Sequence, residues 1–414
     1  MSIIDNRKLA SWKGDIEPYF KDRIGFREKM INWYTVYNDR AFGEMVHPIY
    51  EYGRDGYVFF KFRREVYDEE FVDFFCRYLR RVQDYCTQRG VRFVYVYNPS
   101  KTSVYSEFLA RGYSYRGIFY SLMMERLNQY GVHYVDNLSY LKELAKKEQV
   151  FNPKYDAGHW NDIGAFYGTN RLLAEMAKDF PAIRQHDLSD FAIDTIVEKS
   201  LPVSLFIINE QVPRYTLKDN KAKLETVRYK GVKLDPSTWF FAVWKTAGVQ
   251  NLDVMFFHGS YYNGRTQFYQ DRFHSAMGIH NYQNFLNFDY WFNLYRPDYV
   301  VLETAEYATS GAYFNKQKLQ TKVLNAPYDS VTDMPHQRYP ILVLPAYAEE
   351  DLERLVKISF EIQEGIAFGY MFVGSEEYDL QINGGRAEIT LLKKDFDRDS
   401  ATVALFQNLD DEGR

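Results

Sequence analysis

Three residue types that together perform acyl transfer occur in two short segments of the chain. Asp156 and His159 are three residues apart in "YDAGHWND", just before a helix-like stretch, and Ser260 follows Gly259 at the end of the apolar run 254–257. An imidazole that acts as a base needs a carboxylate to fix its tautomer, and a serine needs such a base to become a nucleophile. The pattern therefore predicts a Ser-His-Asp triad in the chain order Asp156, His159, Ser260.

Each of these segments also has a purely structural interpretation. Gly259 suits a tight turn, and Ser260 suits the first position of a helix. Asp156 can cap a helix beside a structural His159, and for an isolated Asp-x-x-His pair this interpretation is as good as a catalytic one. Asn161 is a second candidate for that helix cap.

Further residues are predicted to complete the site. Oxyanion donors are expected from the backbone N–H of Ser260 and from Asn98, which ends another apolar strand, although a turn-forming role suits Asn98 as well. Trp160 is placed to shield the imidazole from solvent. Tyr261 and Arg265 are candidates for the substrate pocket, and solvated helix positions would explain them equally well.

Composition excludes several classes of protein. A chain of 414 residues exceeds the usual size of one core, so two domains are expected. The net charge of −5 gives no electrostatic case for nucleic acid. No stretch is long and apolar enough to span a membrane. The 36 tyrosines are the unusual feature, and a Tyr-rich groove could stack on sugar rings.

No metal site or cofactor is predicted. His47, His133 and His280 have no partners at ligand spacing, and no glycine-rich phosphate loop occurs. Cys76 and Cys86 lie ten residues apart on one predicted helix, about 15 Å, which is too far for a disulfide.

Apolar periodicity predicts an α/β sheet covered on both faces, because buried strands alternate with amphipathic helices. A helix-like stretch is also expected after Ser260, and hairpin-like pieces are expected around 209–229. Beyond about residue 310, alternating residues and glycine-rich turns predict antiparallel strands, with no long helix after 362. The predicted helices are 16–43, 68–90, 115–130, 138–148 and the one that follows the loop at 156 and ends at 180, and the predicted strands include 91–98, 132–137, 254–257 and 296–307.

Seven segments of the chain together resemble the alginate O-acetylation protein family. This family is a branch of the SGNH/GDSL hydrolase superfamily in which the catalytic core is circularly permuted. The segments occur in the family's order over residues 5–307, which makes the resemblance specific although each piece is modest. They are "DNRKLASW", "YFKDRIGFREKMI", "YGRDGYVFF", "NPSKTSVYSEF", "DAGHWNDIGAF", "HGSYYNGRTQFYQDRF" and "RPDYVVLETAEY".

The resemblance implies an SGNH-hydrolase-like three-layer sandwich with a mostly parallel sheet over 1–310. An irregular insertion is expected at about 187–250, and a β-rich, carbohydrate-binding module is expected over 311–414. By position, Ser260 matches the family's nucleophile, His159 its general base and Asp156 the carboxylate that orients the base.

Two departures from the family's pattern stand out. The usual Gly-Asp-Ser reads His258-Gly259-Ser260, which puts the shape of the turn and full activity in doubt. The Asp-x-x-His spacing follows the wider superfamily, whereas the alginate proteins place these two residues two apart.

The resemblance implies an O-acetyltransferase that modifies an exported or cell-surface polysaccharide outside the cytoplasm. It also implies a membrane-bound O-acyltransferase partner that supplies the acetyl groups, and the abrupt start "MSIIDNRKLASW" suggests that an N-terminal anchor is missing from this sequence. Two alternatives remain open at this point. A carbohydrate acetylesterase would use the same triad, and a non-catalytic glycan-binding protein would explain the altered turn.

Overall fold

A computed structural model describes residues 27–61, 68–202, 204–341 and 348–407 of the chain. The resembling segment "DNRKLASW" and the part of the predicted first helix before Arg27 lie outside these residues. The helices Glu69–Gln88 and Ile118–Gln129 begin and end within three residues of the predicted bounds, and the helices that end at Phe42 and Asp179 stop one residue before theirs. The predicted helix 138–148 ends earlier, at Leu144. The α-helices are α1 (Arg27–Phe42), α2 (Glu69–Gln88), α3 (Lys101–Val104), α4 (Ile118–Gln129), α5 (Leu138–Leu144), α6 (Asp162–Asp179), α7 (Phe288–Tyr295) and α8 (Lys316–Thr321).

Strands occupy both halves of the described chain. They are β1 (Tyr50–Tyr52), β2 (Val58–Phe60), β3 (Arg92–Asn98), β4 (Tyr134–Asp136), β5 (Phe191–Ser200), β6 (Ile207–Leu217), β7 (Ala222–Leu224), β8 (Phe241–Thr246), β9 (Asp253–His258), β10 (Ser275–His280), β11 (Tyr299–Ala305), β12 (His336–Pro340), β13 (Ala348–Leu352), β14 (Leu355–Glu361), β15 (Ile366–Val373), β16 (Glu376–Asp379), β17 (Gln381–Asn383), β18 (Arg386–Leu392) and β19 (Ala401–Gln407).

A seven-stranded mixed sheet forms the centre of the first part of the chain, in the order β4-β3-β11-β9-β10-β8-β7. The five strands from β4 to β10 are parallel, and β8 and β7 are antiparallel to their neighbours. All seven residues of β11 are buried, as expected for a central parallel strand. The predicted α/β architecture is confirmed.

Helices cover both faces of this sheet. Tyr299 of β11 pairs with Arg92 of β3, three residues before Tyr95, so Tyr299 and Tyr95 point to opposite faces. Phe75 of α2 contacts the ring of Tyr95, whereas Phe180, which follows α6, contacts the ring of Tyr299. The sheet therefore lies between the α2 layer and the α6 layer. Cys76 and Cys86 are buried in α2 and unpaired.

The structure differs in detail from three expectations for residues 187–280. The antiparallel hairpin is β5–β6, over 191–217, and it begins before the expected 209–229. The segment expected to be an irregular insertion supplies β7 and β8 to the main sheet. Ser260 opens a short 3₁₀ turn instead of a long helix, because the chain turns again at Gly264, whose φ is +69°.

The C-terminal part folds into two four-stranded antiparallel sheets, β12-β19-β15-β16 and β13-β14-β18-β17, as the alternation predicts. Their facing side chains, among them Ile358, Met371 and Val403, form a hydrophobic cluster. This cluster is distinct from that of the α/β part. The boundary at residue 310 stays a prediction.

Asp379 at the end of β16 joins the two parts. Its carboxylate is 3% exposed, accepts a 2.5 Å hydrogen bond from the Tyr85 hydroxyl and lies 3.3 Å from the Arg89 guanidinium. Asn293 of α7 exchanges two backbone–amide hydrogen bonds with the same residue. The contact is therefore a buried polar joint between α2, α7 and β16.

Candidate active site

The nucleophile candidate lies at the carboxyl end of the central parallel strands. β9 ends at His258, Gly259 is extended, and Ser260 begins the 3₁₀ turn. β3 and β11 run parallel to β9 in the same sheet and end at Asn98 and Ala305, so their last residues face the same edge. In open α/β sheets, ligands bind outside this edge.

The structure brings Ser260, His159 and Asp156 into one hydrogen-bonded chain. Ser260 Oγ lies 2.6 Å from His159 Nε2, and His159 Nδ1 lies 2.7 Å from both carboxylate oxygens of Asp156. With its Nδ1–H directed at Asp156, the neutral imidazole presents Nε2 as an acceptor to the serine hydroxyl. This is the geometry that a general base and its nucleophile require.

Asp156 is held in an uncommon backbone conformation, with φ at +53°. Its carboxylate also accepts hydrogen bonds from the backbone N–H groups of Gly158 and His159, at 3.2 and 3.1 Å. Burial raises the pKa of Asp156, but the hydrogen bond and charge of His159 outweigh burial, with help from Arg265 and the Gly158 N–H, and the net pKa is lowered. The carboxylate is therefore ionised beside the imidazole.

Two charged side chains, buried Lys101 and half-buried Glu210, hold the loop that carries Asp156 and His159. The Lys101 ammonium donates to the carbonyls of Val58 and Pro153, at 2.8 and 2.9 Å. Glu210 of β6 accepts from the backbone N–H groups of Lys154 and Tyr155. Burial lowers the pKa of Lys101 to about 7.

Tyr307 is a site residue that the sequence patterns missed. Its hydroxyl lies 3.2 Å from Ser260 Oγ and 3.2 Å from His159 Nε2. Burial raises the pKa of Tyr307 above its usual value, so the hydroxyl keeps its proton at neutral pH. The preceding Glu306 accepts from the backbone N–H of Ser100 at 2.9 Å, which fixes this turn to the start of α3.

The His258-Gly259 departure has a steric explanation. A Cβ atom at Gly259 would lie 2.0 Å from the Tyr282 hydroxyl, so no side chain fits there. Burial lowers the pKa of His258 to about 3, and its neutral ring places Nδ1 2.9 Å from the Gly259 carbonyl. Both residues of the altered pattern therefore pack inside the turn.

Tyr261, a candidate for the substrate pocket, is buried behind the site together with Trp160, so its predicted role is corrected. Trp160 is fully buried, and its indole N–H donates to the Tyr261 carbonyl at 2.9 Å. The Tyr261 hydroxyl lies 2.8 Å from the Pro99 carbonyl and 3.0 Å from that of Gly158. They tie the Ser260 turn to the His159 loop from inside and do not line a pocket.

The structure also corrects the oxyanion role predicted for Asn98. Its Nδ2 donates to Glu303 at 2.9 Å, and its Oδ1 accepts from Asn137 at 2.8 Å, so the amide serves an internal network. Arg265 pairs with Asp162 at 3.1 Å and lowers the pKa of Asp156 through its charge. A direct role of Arg265 toward substrate stays a prediction.

The helix after the His159 loop begins with Asn161 as its cap, which is one of the structural interpretations that the sequence offers. Asn161 is the N-cap of α6, and its side chain accepts from the Gly164 N–H at 3.1 Å. Among the residues that the structure describes, no three His, Cys, Asp or Glu side chains are grouped to hold a metal ion. In the same ranges, no helix has the length and apolarity needed to cross a bilayer.

Comparison with known proteins identifies a family over part of the chain. Residues 51–238 match the model of the SGNH hydrolase-like domain, acetyltransferase AlgX. This match includes Asp156 and His159 and ends before Ser260. No curated protein sequence matches the chain.

Solved structures of similar fold have low sequence identity. Bacillus cereus PatB1 is 14% identical with a TM-score of 0.50, over 62% of this chain and 96% of that one. The O-acetyltransferase domain of Pseudomonas putida AlgJ is 19% identical with a TM-score of 0.41, over 68% and 96%. Pseudomonas aeruginosa AlgX is 14% identical with a TM-score of 0.39, over 86% and 90%.

The likeness to PatB1 concerns the fold alone, and it agrees with the mixed sheet and its helices described above. The sequence match is the finding that specifies a family. Residues 51–238 of this chain are similar in sequence to the SGNH hydrolase-like domain of the acetyltransferase AlgX.

Proposed function

We propose that the chain is a serine-dependent O-acetyltransferase that acetylates hydroxyls of an exported or cell-surface polysaccharide through an acetyl-Ser260 intermediate. The observation that carries the proposal is the continuous hydrogen-bonded chain from Asp156 through His159 to Ser260. The acetyltransferase family of residues 51–238 supports it, because two of the three residues lie in the matched segment.

In the first half-reaction, Ser260 Oγ attacks the carbonyl carbon of an acetyl donor while its proton moves to His159 Nε2. Asp156 stabilises the imidazolium that forms. The bond between the acetyl carbon and the donor's leaving group then breaks, and His159 returns the proton to that group. The product is acetyl-Ser260, and no cofactor is needed for these steps.

In the second half-reaction, a sugar hydroxyl takes the place of the leaving group. His159 removes its proton as the oxygen attacks the acetyl carbon, and Ser260 Oγ recovers a proton when the intermediate collapses. The Tyr307 hydroxyl and the Ser260 backbone N–H are the donors proposed for the oxyanion, because each is next to the reacting oxygen.

The source of the acetyl group and the cellular location are proposed from the family resemblance. A membrane-bound O-acyltransferase partner is proposed as the source of acetyl groups, outside the cytoplasm, with an N-terminal anchor holding the protein near it. Glycan binding by residues 311–414 is proposed on the same ground.

The first test is the intact mass of the folded protein after reaction with an activated acetyl ester. The wild type is expected to gain one acetyl group and Ser260→Ala none. Absence of any adduct on folded wild-type protein, together with absence of ester turnover, would remove the proposed nucleophile.

Transfer is then separated from hydrolysis by following the acetyl group. Oligosaccharides from several acetylated polysaccharides are added to acetyl-Ser260 protein, and both acetylated sugar and free acetate are measured. A transferase gives acetylated sugar at the expense of acetate. Release of acetate alone with every acceptor would contradict the transferase proposal.

A further inference from the structure

Glu303 of β11 is a buried carboxylate directly behind the nucleophile turn. It is fully buried, its Oε2 accepts from the Gly259 backbone N–H at 3.0 Å, and its Oε1 accepts from Asn98 Nδ2 at 2.9 Å. Within the described ranges it forms no ion pair with a lysine or arginine. Burial raises the pKa of Glu303 to about 7, against the opposing effect of these two hydrogen bonds.

The groups around Glu303 do not change charge in that range. Burial raises the pKa of each tyrosine that faces it and lowers the pKa values of the two nearby buried histidines, His258 and His280, to about 3 and about 4. Glu303 is therefore the group behind the turn whose charge changes near neutral pH. The tyrosines are Tyr95, Tyr261, Tyr262, Tyr269, Tyr282 and Tyr307.

Two buried amides extend the network away from the site. Asn98 Oδ1 accepts from Asn137 Nδ2 at 2.8 Å, and Asn137 Oδ1 is buried without a hydrogen-bond partner among the described residues. This orientation of the two amides suits ionised Glu303, because both groups that contact its carboxylate are hydrogen-bond donors. An unpartnered buried oxygen is uncommon and costs free energy.

Protonated Glu303 requires the opposite orientation of the Asn98 amide, because the O–H of the protonated acid needs an acceptor. If both amides turn by half a rotation, Asn98 Oδ1 accepts that proton and Asn98 Nδ2 donates to Asn137 Oδ1. Asn137 Oδ1, which lacks a partner in the first arrangement, then accepts a hydrogen bond. In exchange, Asn137 Nδ2 moves to the side without a partner and gives up its long contact, 3.5 Å, with the Gly168 carbonyl. The pair of amides can thus serve either protonation state.

We propose that Glu303 is a proton-dependent positioning residue for the nucleophile turn. Its carboxylate fixes the Gly259 N–H, one residue before Ser260, and its protonation, with reversal of Asn98 and Asn137, weakens that bond and slows acylation. A neutral carbonyl oxygen is a weaker acceptor than a carboxylate. The effect on rate rests on the proposed function, since it assumes that Ser260 is acetylated.

The kinetic test compares acetylation rates of wild type, Glu303→Gln and Asn98→Leu across pH. The amide introduced by Glu303→Gln resembles the protonated acid, so the rate of this variant is expected to fall on the order of 10-fold to 100-fold on the alkaline side of the Glu303 pKa. Its pH profile should also lose the inflection assigned to Glu303. Asn98→Leu removes a donor to the carboxylate, so the inflection should move to higher pH.

An infrared titration tests the protonation without requiring activity. The C=O band of a buried neutral carboxylic acid should grow as the pH falls through about 7 in wild type and in Ser260→Ala. In Glu303→Gln the part of the band that titrates near pH 7 should be missing, whereas the band of Asp379, whose pKa burial raises to about 6, should remain. If the Glu303 band titrates but no acetyl-Ser260 forms, the proposed function fails while the protonation of Glu303 stands. Identical pH profiles for folded wild type and Glu303→Gln, or a band seen only at the pH of ordinary glutamates, would overturn the inference.

Discussion

The Tyr307 hydroxyl lies 3.2 Å from Ser260 Oγ, although the two residues are 47 positions apart in the sequence. The contact exists because β9 and β11 are adjacent parallel strands, so the turns that follow them lie at the same edge of the sheet. A protonated phenol next to the nucleophile can donate to the oxygen that becomes negative when the acetyl group is attacked.

Replacing Tyr307 by Phe removes this donor and keeps the ring. We expect kcat for ester turnover to fall on the order of 10²-fold to 10³-fold, as for loss of one oxyanion donor, with KM much less changed. Steady-state kinetics with an activated acetyl ester measures this effect. A kcat within about twofold of wild type in a folded variant would exclude the donor role.

Replacing Asp156 by Asn should disable the imidazole while keeping the backbone. Asn tolerates the positive φ of position 156, but its amide leaves His159 with the wrong tautomer, so kcat should fall on the order of 10⁴-fold. Circular dichroism checks the fold of the variant. Asp156→Ala is the comparison, because it should lose folding stability as well as activity.

The same substitution should change how stability responds to acid. Because the pKa of Asp156 is lower in the folded protein than its ordinary 3.8, its contribution to stability is present above that value and is lost as the pH falls through the folded pKa. Asp156→Asn should therefore lose less stability on acidification than wild type does. Denaturant unfolding at a series of acidic pH values measures the difference, and parallel curves would contradict it.

Adding a side chain at Gly259 should destabilise the protein, because its Cβ would overlap the Tyr282 hydroxyl. Gly259→Ala is expected to cost about 1–3 kcal/mol of unfolding free energy. Gly259→Asp should be destabilising too, even though it restores the aspartate of the family pattern. In the double variant with Tyr282→Ala, a coupling of roughly 0.5–3 kcal/mol should appear, whereas strict additivity would reject the steric explanation.

The lowered pKa of Lys101 predicts that the free energy of unfolding rises with pH on the alkaline side. Its pKa is about 7 when folded and 10.5 ordinarily, so between these values the unfolded chain binds more protons and folding becomes more favourable as pH increases. Lys101→Met should remove up to about 1.4 kcal/mol per pH unit from this slope. Lys142→Met, at an exposed position, is the matched control in denaturant titrations. An unchanged slope in Lys101→Met would contradict the expectation.

The features predicted from sequence are those that depend on short stretches of chain. The Asp156–His159 pair lies within three residues, and the amphipathic pattern of α2 is visible in its own residues. The buried strands β3, β9 and β11 are largely apolar, which marks them without knowledge of their neighbours. Ser260 was found because it follows one of these strands at a turn.

The features that sequence patterns missed depend on pairing between distant segments. Tyr307 and Glu303 reach the nucleophile turn only because β11 is adjacent to β9. β10 was missed because its buried residues include Gly278, where the Tyr269 hydroxyl takes the space of a side chain, so it lacks a strong apolar pattern. Asn98 was assigned to the oxyanion because its position at a strand end does not show which way its amide points.

The polar joint at Asp379 has a consequence for how the molecule unfolds. Separating β16 from α2 would leave Arg89 and the Tyr85 hydroxyl without the carboxylate to which both hydrogen-bond. Partial opening therefore costs free energy. The antiparallel sheets are therefore expected to melt together with the α/β part, in one cooperative transition. If the antiparallel sheets bind glycan, as proposed above, the bound glycan and Ser260 would belong to one cooperatively folded unit. No flexible linker would then separate glycan binding from acetyl transfer.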